Sequence, residues 1–365
     1  MSTFAERVGR VRREMEAQGV DVLLLSVGPD LPYLTGYEAM PLERLTMLVL
    51  PRHGEATLVV PRLEAPRVAE QPDVFTIQAW NETDDPIDIV AGLAKGAATA
   101  AIGDHTWARF LVDLLTALPS TTFRRASTVV SPIRSRKDEA EIAALRAAGA
   151  AADRVARQLQ GGEIPMVGRT EADVSADISR RMLAEGHQRV NFAIVGSGPN
   201  GASPHHSASA RLLERGDLVV CDFGGRMNGY CSDITRTVAL GAAPTEAMEA
   251  YAVLREAQQA AVAAAVVGTP CEEVDAVARR IITAGGFGER FIHRTGHGIG
   301  MEEHEDPYIV SGNHVALAPG HAFSVEPGIY TPGQWGMRLE DIVVATPGGP
   351  EALNTVDHDL VVLDV

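Results

Sequence analysis

Several things are scarce in this 365-residue sequence, and each scarcity excludes something. There are three cysteines, Cys221, Cys231 and Cys271. So few, and an odd number, exclude a disulfide framework and fit reduced thiols in a cytoplasm. No apolar run approaches the roughly 20 residues that a membrane helix needs. The first ten residues, MSTFAERVGR, have no apolar signal core. Basic residues are outnumbered, 32 Lys and Arg against 48 Asp and Glu, for a formal net charge of -16. Such a chain repels phosphate backbones, which argues against a nucleic-acid partner. There is no low-complexity tail and no short-period repeat. The expectation is a cytoplasmic protein with neither a nucleic-acid nor a membrane partner.

What is present supports a packed core. Hydrophobic residues make up 45% of the chain and mean hydropathy is +0.01. The length fits two domains. In the first third, Phe4, Val8, Val11 and Met15 recur at helical spacing, and Gly19 closes the helix. VDVLLLS reads as a buried strand. LTMLVLPRHGEATLVVP reads as two strands around a turn at Pro51 to Gly54. AAIGD is a further strand, followed by a helix through Leu118. This alternation predicts a small α/β domain. The texture then changes at LPSTTFRRASTVVSPIRSRKDE, and a boundary is expected near Val129. Beyond it, helices are predicted over Asp138–Gln160, Thr170–Ala184, Thr245–Val267 and Glu272–Ala284, with strand-rich segments between and after them.

Those strands carry carboxylates where burial of a charge is costly. CDFGGRMNGYCSDITRT places Asp222 and Asp233 on two apolar strands around Asn228-Gly229, a strong hairpin signal. An even-length loop puts both on one face: diagonal neighbours with a two-residue loop, directly opposed with a four-residue loop. No lysine lies nearby, and Arg236 has the opposite strand parity. Two close carboxylates need a cation between them, and a metal supplies it. The plain alternative is a pair of solvated turn aspartates. HRTGHGIGMEEHEDP adds His293, His297 and His304 among glycines. FSVEPGIY and GMRLEDIVV add Glu326 and Glu340, and an odd-length loop around Gly333 would face the two toward each other. Buried glutamates are usually paired or metal-bound. This is too much negative charge for one zinc site of the usual three-ligand kind. It suits two divalent ions sharing bridging carboxylates, with Mn²⁺ or Co²⁺ favoured by an oxygen-rich set with one imidazole.

With these motifs in order, the chain resembles the pita-bread metallopeptidases, the group of Xaa-Pro aminopeptidases and Xaa-Pro dipeptidases (prolidases). The resemblance implies an α+β fold: a creatinase-like α/β domain over residues 1–129, then a pita-bread catalytic domain over residues 130–365. It implies the metal ligands Asp222, Asp233, His297, Glu326 and Glu340. They would hold two divalent ions, Mn or Co foremost, with Zn or Fe as other candidates. Asp222 would hold one ion, His297 and Glu326 the other, with Asp233 and Glu340 bridging.

In the mechanism so implied, a hydroxide bridging the metals attacks the carbonyl before proline, with Glu326 or a carboxylate beside it as general base. His205 and His304 stabilise the oxyanion. The substrate is a proline-containing peptide whose free N-terminus sits at the metals. The family expectation is a homodimer. The resemblance leaves His206, beside His205, unassigned. It gives His293 either a pocket or a supporting role and has Arg338 order the carboxylates. Cys231 shares strand parity with Asp233, which places it either near the metals or in the core as a small residue. In some prolidases an arginine directly after the HE.P segment holds the dipeptide's carboxylate. Tyr308 stands there, which leaves dipeptidase and aminopeptidase action both open. Two other functions share the fold: a metal-dependent hydrolase or lyase of a small metabolite, and a non-catalytic peptide-binding relative. The intact ligand set argues against a metal-free version of either.

Overall fold

The computed structural model describes residues 3–364. The chain divides into two compact units at Arg134/Ser135. The boundary expected near Val129 falls inside a helix, Ser127–Arg134, whose Val129 and Val130 are buried. Its Ser/Thr/Pro-rich composition reads as a linker, but its apolar face packs on the first helix.

The first unit is built on a six-stranded mixed sheet. Its strands are β1 (Val22–Leu25), β2 (Met47–Pro51), β3 (Thr57–Pro61), β4 (Thr76–Trp80), β5 (Thr99–Ile102) and β6 (Thr122–Arg125), in the order β4-β3-β2-β1-β5-β6. All four residues of β1 are buried, as its unbroken apolar run requires. The first helix, Thr3–Gln18, buries Val8, Val11 and Met15 and ends at Gly19, whose φ of 66° only glycine adopts cheaply.

The second unit holds a four-stranded, a five-stranded and a two-stranded sheet, backed by two pairs of helices. The first pair is α1 (Glu139–Gln160) and α2 (Glu171–Ala184). Asp138 and Thr170 stand before them, each in a capping box that satisfies the first-turn N–H groups. This pair shares a core with a sheet of β7 (Arg189–Ser197), β8 (Leu218–Met227), β9 (Tyr230–Leu240) and the terminal Val361–Leu363. The second pair is α3 (Thr245–Ala264) and α4 (Cys271–Ala284). The expected run of α3 to Val267 stops early because the chain turns at Gly268, φ 96°, whose N–H bonds the Leu317 carbonyl. This pair packs on the strands β10 (Gly296–Gly298), β11 (Glu305–Ile309), β12 (Ala322–Val325), β13 (Gly328–Thr331), β14 (Trp335–Arg338) and β15 (Asp341–Thr346). Among the described residues, no helix is long and apolar enough to cross a membrane.

Strand alternation decides what faces away from the helices. On β8 and β9, Val219, Cys221, Phe223, Ile234 and Val238 lie in the α1/α2 core. Asp222, Asp233 and Thr235 therefore point the other way. Phe323, Val325, Met337 and Leu339 lie in the α3/α4 core, so Ser324, Glu326, Arg338 and Glu340 also turn away. A single bridge between Thr235 and Glu340 joins the two groups of strands along these free faces.

Close backbone approach at β10 requires glycine. A Cβ on Gly296 would overlap the Ser324 carbonyl of β12. Gly296→Ala is expected to destabilise the second unit by at least about 3 kcal/mol. Thermal unfolding followed by circular dichroism checks this, and an unchanged transition contradicts the packing described.

Candidate metal centre

The hairpin that carries the two aspartates closes with Asn228 at φ 52° and Gly229 at φ 86°. Positive φ at both central residues is the two-residue turn whose twist matches the flanking strands. Met227 therefore pairs with Tyr230, Asp222 with Thr235, and Gly224 with Asp233. The aspartates are diagonal neighbours on one face. The glutamates meet across the second hairpin. Val325 pairs with Asp341, and Gly328 with Arg338, so Glu326 stands opposite Glu340. Thr331 pairs with Trp335, which leaves Pro332, Gly333 and Gln334 as the odd-length loop. The Thr235 hydroxyl donates to Glu340 Oε2 at 2.6 Å and so ties the two hairpins together at the carboxylates.

His297 enters from β10. Its Nδ1 lies 3.1 Å from the Gly298 carbonyl and donates to it, which turns Nε2 toward the carboxylates. That Nε2 is 3.1 Å from Glu326 Oε1 and 3.9 Å from Asp233 Oδ2. The Ser324 hydroxyl accepts from the His297 N–H and donates to Glu326 Oε1 at 3.0 Å. Ligand atoms of Asp233, His297 and Glu340 all lie within 4.8 Å of one another. Asp222 stands beside this triad. It is bound by Arg338 Nη2, and Arg338 Nε lies 3.9 Å from Glu326 Oε2. Asp222, Asp233, His297, Glu326, Arg338 and Glu340 line one cavity of about 600 Å³.

The charge balance is unfavourable without a further cation. Burial, then the charges of Glu340, Asp222 and Glu326, push the Asp233 carboxyl well above its usual range. Glu340 is pushed the same way by burial, then by Glu326 and Asp222. Asp222 also rises, because burial outweighs the Arg338 guanidinium. Burial acts against ionisation of Glu326 too, but there the hydrogen bond and charge of His297 prevail and draw it down to about 2. Asp222 Oδ1, Asp233 Oδ1 and Glu340 Oε1 are buried with no hydrogen-bond partner. Three orphaned carboxylate oxygens beside the His297 Nε2 fit divalent ions bound through oxygen and nitrogen.

The remaining histidines separate by environment. His205 is exposed and lines the cavity. His304 lines it too, with its ring 4.0 Å from that of His297, and burial, then His297, pulls its pKa down to about 4. His206 turns away and bonds Glu171 Oε2 at 2.7 Å. Glu171 is buried and also accepts from Ser197, Asn200 and Ser209, so it pins the loop that presents His205. His293 Nδ1 donates to the Arg294 carbonyl, and its Nε2 accepts from Tyr330, whose hydroxyl accepts in turn from Arg338. It both lines the cavity and supports it. Cys231 sits in an apolar core with Ile299 and Ile342, and burial raises its thiol to about 12. Arg236 is fully buried on the other side of β9, bonded to the Glu340 carbonyl and Asp341. Sequence reasoning missed Thr235 and Ser324. Both stand two residues from a predicted ligand on the same strand face, which was the available signal. The Glu171–His206 pair spans 35 residues and has no local signature.

Residues 143–347 match metallopeptidase family M24, and residues 7–136 match the creatinase/prolidase N-terminal domain. The chain is 44% identical over 367 residues to a probable dipeptidase PepE of Mycobacterium tuberculosis, covering 99% of this chain and 97% of that one. It is 35% identical over 370 residues to an Xaa-Pro dipeptidase of Lactobacillus helveticus, covering 98% of each. Its structure superposes on a recombinant prolidase from Thermococcus sibiricus with a TM-score of 0.94 at 35% identity, covering 100% of both chains. The chain belongs to metallopeptidase family M24: a pita-bread catalytic domain preceded by a creatinase-type N-terminal domain. It is a metallopeptidase, and its relatives include proteins named as dipeptidases.

The raised carboxyls set the pH response of the metal-stripped protein. A carboxyl with a raised folded pKa holds its proton longer in the native state, so its contribution is lost as pH rises above the unfolded value. The lowered histidine acts oppositely, but only below its ordinary 6.5. From the ordinary carboxyl range upward, the carboxyls' contribution to the stripped protein's thermal stability is therefore expected to fall as pH rises, unopposed by the histidine above pH 6.5. Saturating Mn²⁺ is expected to flatten that slope and raise the melting temperature by about 5–15 °C. Scanning calorimetry checks both, and a stripped protein that gains stability as pH rises above 6.5 contradicts the charge balance.

Proposed function

We propose that this chain is a dinuclear, metal-dependent exopeptidase that hydrolyses the Xaa-Pro bond, with dipeptides as its main substrates. One observation carries the reading. Asp222, Asp233, His297, Glu326 and Glu340 converge from separate sheets on one cavity, where three buried carboxylate oxygens have no partner. These five side chains would hold two divalent ions, Mn²⁺ or Co²⁺. The names of the relatives support the bond and the substrate length. A homodimer and a cytoplasmic location go with this reading, to be checked by light scattering and cell fractionation.

Bound divalent ions acidify a water and polarise the scissile carbonyl. The chain's own residues do the rest. Glu326 takes the proton of the attacking water on Oε2, since Oε1 already accepts from Ser324, and returns it to the proline nitrogen as the C–N bond breaks. His304, neutral above about pH 4, donates an N–H to the carbonyl oxygen as that oxygen gains negative charge. His205 donates beside it, on a loop whose position Glu171 fixes through His206. Phe192, Ile194 and Pro204 give the cavity an apolar wall. Such a wall suits a proline ring, which offers no N–H to grip.

The assay is release of the free N-terminal alanine by Mn²⁺-loaded protein from Ala-Pro, Ala-Pro-Ala and Ala-Ala. Ala-Pro is expected to be cleaved best. His304→Ala is expected to lower kcat by about 10²–10³-fold with Mn²⁺ still bound. No cleavage of either proline peptide by metal-loaded protein would overturn the reading.

A further inference from the structure

The cavity has one cation that the chemistry above does not use. Two guanidinium groups line it, those of Arg338 and Arg294. Arg338 is committed: it donates to Asp222, Thr235, Tyr330 and the Pro204 carbonyl. Arg294 is not. Its guanidinium carbon lies 4.5 Å from the centroid of the Tyr308 ring. Among the described residues it makes no ion pair and no side-chain hydrogen bond. Its backbone is fixed, because the neighbouring His293 ring donates to its carbonyl.

An arginine stacked on a ring engages the face of its guanidinium and leaves the in-plane N–H groups free. Those donors form the fork that binds a carboxylate through two parallel hydrogen bonds. The rest of the cavity is acidic, with Asp222, Asp233, Glu303, Glu326 and Glu340 along it. With divalent ions offsetting the ligand carboxylates, a substrate carboxylate taken out of water into this cavity still needs charged hydrogen-bond donors of its own. A dipeptide brings one on its second residue, within a single residue of the bond that is cut. A tripeptide or an amide presents a neutral carbonyl at that position.

The geometry points to Arg294, steadied by Tyr308, as the anchor for the free α-carboxylate of a dipeptide substrate. This rests on the Xaa-Pro exopeptidase reading and adds to it the group that makes the enzyme prefer dipeptides. Anchoring acts on binding, so it appears in KM more than in kcat.

The test compares Ala-Pro with its amide, Ala-Pro-NH₂, on Mn²⁺-loaded wild type, Arg294→Met and Arg294→Lys. The wild type is expected to show a KM for the acid about 10–100-fold below that for the amide, the usual worth of a charged hydrogen-bonded contact. Arg294→Met is expected to raise the acid KM by about the same factor and leave the amide unchanged. Arg294→Lys is expected to recover part of the loss. The amide serves as the internal control for folding. A methionine variant that keeps the preference for the acid overturns the anchor, and so does one that loses acid and amide alike. A wild type that cleaves acid and amide equally also overturns it, while leaving the Xaa-Pro reading standing. A wild type that cleaves neither removes that reading, and the anchor with it.

Discussion

Four carboxylates share one buried space with a single committed guanidinium, and the second unit is organised around that imbalance. Asp222, Asp233, Glu326 and Glu340 are too close to ionise together. Arg338 compensates only Asp222 directly and reaches toward Glu326. Asp233 and Glu340 are left with burial and mutual repulsion, which hold both toward the neutral form. One oxygen each of Asp222, Asp233 and Glu340 lacks any donor. A fold tolerates so costly an arrangement only where something cationic completes it, and an M24 metallopeptidase completes it with metal.

The scaffold makes that arrangement rigid. The four-stranded sheet and the strands β10 to β15 each have a helix pair on one face, so the other face is free to carry charge. Alternation along β8, β9, β12 and β14 sends apolar residues to the helices and the ligand candidates inward. Thr235 stitches the two hairpins at Glu340, and Ser324 holds the His297 backbone and Glu326 together. Behind them, Arg236 and Asp341 form a buried pair that fixes the Glu340 backbone. Asp222, His297, Glu326 and Glu340 are therefore each placed by strand geometry and a hydrogen bond, and Asp233 by strand geometry, which is what a preorganised site needs.

Much of this was legible in residue order. Asn228-Gly229 announced its turn, and parity then put Asp222 and Asp233 on one face. The loop length stayed open until the Met227–Tyr230 pair closed it as two residues. Gly333 marked the loop that sets Glu326 against Glu340, because register is arithmetic once a loop is located. Asp138 and Thr170 marked two helix starts, because capping is a local interaction. What stayed hidden depends on long-range packing. Ser127–Arg134 has the composition of a linker, and only its burial makes it part of the first unit. The tie from His206 to Glu171 and the stacking of Arg294 on Tyr308 join segments whose spacing carries no pattern.

The central claim is that the buried carboxylates form a two-ion site. Its most direct test is metal content per chain by mass spectrometry after Mn²⁺ loading and buffer exchange, for the wild type and Asp233→Ala. Two equivalents in the wild type, with a marked loss in the variant, are predicted. A wild type that retains no metal, or a variant that binds as much as the wild type, would contradict it.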